Sequence, residues 1–199
     1  MDASRSPLGA DLVRVRPVLL IGGWIGAGAL EGAGYDPARD TISALAASGA
    51  AGFWVMTGAF LGLGACHLVT AWGLRAARPA GRLALTGGVV ALVVALFPVP
   101  LSGGSMRHGS AAAAGFALLA AWPVLAVVPD GPAPWALRPV PAVAVTTAMT
   151  LGAGWFLVET ERHGTAGIAE RSVTFLQALW PLVVVASCLL HRQRADAAA

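Results

Sequence analysis

The stretch from Ser172 to Leu190, SVTFLQALWPLVVVASCLL, carries no charged side chain. It is long enough to cross a hydrocarbon core about 30 Å thick, which takes roughly 20 predominantly apolar residues as a helix. Polarity returns on both sides of it, with Glu170-Arg171 before and His191-Arg192-Gln193-Arg194 after. Five more stretches read the same way: Val18 to Gly34, Gly52 to Gly73, Leu83 to Leu101, Ser110 to Val128 and Ala142 to Val158. Backbone polar groups in lipid must be satisfied within the segment, so each is read as a helix. The alternating polarity of membrane strands is absent. The expectation is an all-α integral membrane bundle of six transmembrane helices. Its parts are an N-terminal tail at 1–17, the six-helix domain at 18–190 and a C-terminal tail at 191–199.

Composition supports this reading. The chain is 57% hydrophobic and 12% charged, with net charge +3 and mean hydropathy +0.72, whereas a soluble domain carries about 25% charged residues. A water-facing globule is excluded, and so is a disordered chain, which needs low hydrophobicity. All 13 basic residues are Arg and none forms a stripe with interleaved aromatics, so no nucleic-acid partner is expected. Arg without Lys, beside abundant Ala and Gly, fits a bacterial genome rich in GC.

Glu31 interrupts the first span, and a charge at mid-membrane costs on the order of 2.5 to 3.5 kcal/mol, so it is expected at the far interface. The same span also has the form of a signal peptide, with Arg14 and Arg16 ahead of an apolar run that reaches Ala27-Gly28-Ala29. The uncleaved reading is preferred because it leaves an even number of helices. With the N-terminus inside, nine of the thirteen Arg fall on the inner side and Arg39, Arg107, Arg162 and Arg171 on the outer. Both termini are therefore expected to be cytoplasmic and the location the plasma membrane. Gly22 with Gly26, and Gly58 with Gly62, have the spacing of close helix contacts. Trp122-Pro123 and Trp180-Pro181 read as two proline kinks. Cys66 and Cys188 read as buried hydrophobes rather than a disulfide.

Topology sorts the polar residues. Asp36, Asp40, Ser43, His108, Glu170 and Arg171 all fall on the outer side and form the candidate ligand-binding set. Asp40 precedes Ile42, Leu45 and Ala46 on one helical face and is expected to N-cap a short interfacial helix. Glu170 suits the positive N-terminus of the last helix. Arg171 is expected to pair with Glu31, Asp36 or Asp40 across the outer face. His67 lies deep in the second span, where an ionisable residue suggests function, although a hydrogen bond to a neighbouring helix accounts for it. No metal or other cofactor is expected; a zinc site, as the alternative, would draw on His108, His163 and Asp40.

Several of these motifs come in a familiar order. Ile42-Ser43-Ala44-Leu45-Ala46-Ala47 follows a loop bearing Tyr and Asp, and His67 precedes Ala71-Trp72-Gly73-Leu74-Arg75. Phe97-Pro98 is followed by His108, and Gly167 to Arg171 precedes a last helix bearing Trp. Together they resemble the bacterial multi-pass membrane proteins of the domain of unknown function 998 family, from about Val18 to Arg194. The resemblance implies six membrane helices and brings no activity with it. A more distant likeness is to the alkaline-ceramidase-like membrane hydrolases, which use a Ser, an Asp and three His around zinc; Ser43, Asp40, His108 and His163 would take such roles, and the third outer His is missing. The leading expectation is a non-enzymatic membrane protein whose outer polar face binds a lipid headgroup, a small ion or a partner protein. A zinc-dependent hydrolase is the alternative and a small transporter the third. Membrane lipids, and a second copy or another membrane protein, are the expected partners.

Overall fold

A computed structural model describes residues 7–74, 76–89, 97–100 and 104–198. Among them the chain is all-α, in the order α1 (Pro7–Leu30), α2 (Ile42–Leu45), α3 (Phe53–Gly73), α4 (Pro79–Leu85), α5 (Met106–Leu125), α6 (Pro139–Glu161) and α7 (Ala166–Ala197). An isolated bridge between Ser48 and Pro100 is the nearest approach to a strand among these residues. α3, α5, α6 and α7 are long and apolar enough to cross a membrane, and Val18–Leu30 forms a shorter apolar helix. Of the expected third span, α4 and the 3-10 turn Thr86–Val89 are seen; 90–96 and 101–103 lie outside the described residues. α7 runs beyond its expected span into the C-terminal tail.

The pattern of exposure shows which solvent this fold needs. Only 17% of the apolar window of α6 is buried within the protein, and Val140, Val143, Leu151 and Leu157 along it are exposed. So large an apolar surface is incompatible with water and is what lipid contact requires. Trp54 and Trp72, at opposite ends of α3, are 81% and 60% exposed. At about 1.5 Å per residue they stand roughly 27 Å apart, which matches the interfacial belts of a bilayer. The chain is a membrane protein.

Inside lipid, apolar contact alone does little to draw helices together, so close backbone approach matters. α1 packs on α3 and α7, α4 on α5, α5 on α6, and α6 on α7. A Cβ at Gly23 would overlap the Cβ of Ala59, and one at Gly52 would lie 2.8 Å from the carbonyl oxygen of Ala27. Gly26 and Gly62 also face this contact, against Val55 and Leu19, while Gly22 and Gly58 face open space. Of the expected positions Gly26 and Gly62 thus lie at the contact, and on α1 Gly23 takes the place expected of Gly22. Arg82 closes the far end of α3 by donating from Nε to the carbonyl of Ala71 at 2.9 Å, where a cation also suits the helix dipole.

Two apolar clusters fill the bundle. One gathers Leu20, Ile42, Leu45, Met56 and Phe60 beneath the loop after α1. The other gathers Leu85, Trp122, Leu137, Met149, Trp180 and Val184 toward the opposite end. The two Trp-Pro steps therefore place their indoles in one core, with Pro123 and Pro181 inside α5 and α7. Cys66 is buried and Cys188 half-buried, and no disulfide joins them.

Candidate functional site

The loop from Glu31 to Leu45 is fixed on the N-terminal turn of α7, and the sequence of each partner explains the join. The first N–H groups of a helix have no partner within it. Gly167 and Ile168, at the start of α7, donate instead to the carbonyls of Arg39 and Ala38, each at 3.1 Å. Position 167 must be glycine for this approach, because a Cβ there would lie 2.5 Å from the carbonyl oxygens of both Pro37 and Asp40.

Glu170 returns the same service to α2. Its side chain is 4% exposed; one carboxylate oxygen accepts the backbone N–H of Ile42, and the other accepts the Ser43 hydroxyl at 3.1 Å. A carboxylate at a helix N-terminus is favoured by the dipole, and here it comes from a residue remote in sequence. Thr41, not Asp40, is the side-chain cap of α2, accepting from the N–H of Ala44 at 3.1 Å. The Asp40 carboxylate reaches backward to the N–H of Asp36 at 2.7 Å. It thereby closes the 36–40 turn together with the Asp36 carboxylate, which accepts from the N–H of Ala38 at 2.9 Å.

Arg171 locks the assembly, and among the described residues no carboxylate forms an ion pair with it. Its Nη1 donates to the carbonyls of Pro37 and Asp40, each at 2.8 Å, and to that of Gly167 at 3.0 Å. Its Nη2 donates to the phenolic oxygen of Tyr35, and the guanidinium carbon lies 6.0 Å from the centre of the Trp24 ring. The expected ion pair with Glu31, Asp36 or Asp40 is therefore replaced by bonds to backbone carbonyls. Glu31 accepts the N–H of Gly52 at 2.9 Å just ahead of α3, and Asp36 pairs with Arg39 at 3.7 Å on the surface. Burial raises the pKa of Tyr35 above its ordinary value, while the Arg171 guanidinium beside it pulls the other way.

Of the six residues in the candidate set, Asp36, Asp40, Ser43, Glu170 and Arg171 meet in this clamp. His108 is bonded elsewhere: its Nδ1 meets the carbonyl of Phe97 at 3.0 Å, and its N–H donates to Ser105. His163 sits after α6 with φ +52, in the left-handed region. Neighbouring Glu159 organises that turn by accepting from both the backbone and the hydroxyl of Thr165. No group of three His, Cys, Asp or Glu side chains suited to a metal occurs among the described residues. His67 is buried, with Nδ1 2.8 Å from the carbonyl of Leu63 one turn back in its own helix. Sequence reasoning missed Thr41, Tyr35, Trp24 and Gly167 as parts of the clamp. Gly167 had a signal, since it opens the segment ahead of Glu170-Arg171.

The family model described as Protein of unknown function (DUF998) matches residues 17–187. The chain belongs to the DUF998 family. A comparison with curated proteins finds no match, nor does one with solved structures. For this DUF998 chain the matched range takes in the loop from Glu31 to Leu45, Gly167, Glu170 and Arg171. The whole clamp therefore lies inside the family's domain.

Proposed function

We propose that this DUF998 protein is a binding protein of the plasma membrane, with six spans and both termini in the cytoplasm, whose outer face docks a partner protein. The observation that carries the reading is the state of the clamp. Glu170 and Arg171, the groups best suited to wrap an ion or a phosphate, are engaged with the chain's own backbone. What the clamp offers outward is a rigid turn with Asp36 and Arg39 exposed on it. A fixed surface carrying both signs of charge suits recognition of another protein more than capture of a small ion. Ser43 and Glu170 have the separation of a nucleophile and its base, but the same carboxylate also accepts from Ile42, which favours a structural role over hydrolysis. The arginine bias supports the orientation.

The test places a photoreactive amino acid at Arg39 in cells. A discrete protein adduct that disappears in Arg171→Ala is expected. Crosslinking to phospholipid without a protein adduct would overturn the reading. For orientation, a fluorescent protein fused to the C-terminus should be bright and a phosphatase fused there inactive; the reverse would refute cytoplasmic termini.

A further inference from the structure

A second polar grouping lies at the opposite end of the bundle. From Glu170 to His191 along α7 is roughly 31 Å at about 1.5 Å per residue, so the two groupings mark the two faces of a bilayer. There a groove of about 580 Å3 opens between the segment Ala133–Arg138 and the last turns of α7. Its α7 wall is one stripe, made by Leu182, Val183, Ala186, Ser187, Leu190, His191 and Arg194, at the spacing that puts residues on one helix face. The stripe is apolar along most of its length and becomes basic at its end. Ser187 ties the walls together by accepting the N–H of Ala136 at 3.1 Å.

Across the groove stand Trp135, more than half exposed, and Arg138, whose Nε donates to the carbonyl of Ala133 at 3.2 Å. That bond uses one of five guanidinium N–H groups. Among the described residues, Arg138, His191 and Arg194 line the groove and no carboxylate does; Asp130 and Asp196, the nearest acids in sequence, are not part of the lining. An apolar channel that runs along a membrane helix and carries two guanidinium groups in its lining has the chemistry of one kind of ligand. We infer that this groove holds an anionic phospholipid, with an acyl chain along Leu182, Val183 and Ala186 and the phosphate at Arg138 and Arg194. Basic pockets at this depth recognise anionic headgroups, and Arg suits phosphate through its paired donors. The site is separate from the outer clamp and does not depend on the partner proposed for it.

The test is native mass spectrometry of the full-length protein in detergent, titrated with phosphatidylglycerol or phosphatidylcholine of identical acyl chains, with inorganic phosphate as a competitor. Phosphatidylglycerol should be retained about 30-fold more strongly, the effect of two interfacial arginines. The double variant R138Q/R194Q should erase that preference, while R192Q, which removes one charge outside the groove, should keep it. Equal retention of the two lipids would overturn the inference, and so would an R192Q loss as large as that of the double variant. Displacement of the lipid by inorganic phosphate at the lipid's own concentration would assign the site to a soluble anion instead. The fold of each variant is checked by an unchanged alkaline titration of Tyr35 at the other end of the bundle.

Discussion

Replacing Arg171 by Ala removes the guanidinium that joins the 35–40 loop to α7. Two loop carbonyls, those of Pro37 and Asp40, lose a donor at 2.8 Å, and Tyr35 loses another. A hydrogen bond to a charged group contributes about 1.5 to 3 kcal/mol. Arg171, Tyr35 and Asp40 are half-buried and Pro37 is exposed, so water replaces part of each bond to the loop. Taking the low end for the two carbonyl bonds alone gives about 3 kcal/mol, or roughly a 150-fold shift in the equilibrium between docked and open loop. The reporters are the amides of Gly167 and Ile168, whose acceptors are the carbonyls of Arg39 and Ala38. Their hydrogen exchange, measured by mass spectrometry in lipid nanodiscs, should accelerate by about that factor, while amides in the middle of α3 keep their protection. Because Arg171 bonds to carbonyls, the reversed pair Arg171→Asp with Asp40→Arg should stay as open as the single variant. An acceleration below about fivefold, or rescue by the reversed pair, would refute the reasoning and restore the carboxylate ion pair.

Gly167→Ala should open the same loop, because its Cβ meets two carbonyl oxygens at 2.5 Å; overpacking of this kind costs about 1 to 3 kcal/mol, and the same amides report it. Glu170→Ala leaves the buried N–H of Ile42 without its acceptor, a loss of about 1 to 3 kcal/mol, and should lower the melting temperature more than Glu170→Gln, which keeps one acceptor oxygen. Tyr35 is the only tyrosine in the chain, so tyrosinate absorbance near 295 nm reads it alone, and its midpoint should lie above 10, in the direction that burial sets. Since the folded state then keeps a proton that the unfolded chain has lost, stability should fall as pH rises through about 10; a midpoint at or below 10 would contradict the docked loop. His163→Gly relieves a side chain held at φ +52 and should raise thermal stability by up to about 1 kcal/mol; a clear loss would mean that the imidazole of His163 makes a contact of its own.

What could be read from sequence, and what could not, divides along a physical line. Membrane helices announce themselves, because lipid requires an unbroken apolar run in each one, and α3, α5, α6 and α7 lie where hydropathy puts them. The side of the chain that each polar residue occupies follows from the same runs, so Asp36, Asp40, Ser43, Glu170 and Arg171 could be grouped before any contact was known. Their pairing could not, because charge complementarity offers Arg171 three carboxylates, whereas the acceptors that hold it are carbonyls of Pro37, Asp40 and Gly167, and every residue has a carbonyl. Asp40 and Thr41 are both good caps one position apart, and the choice fell to Thr41 because the Asp40 carboxylate closes the turn behind it. The underlying cause is common to both cases. A helix that begins at a membrane surface has unpaired N–H groups and limited access to water, so the few charged residues placed there are drawn to backbone. In this protein α2 takes its acceptor from α7 and α7 takes its acceptors from the loop before α2, so neither end is complete without the other.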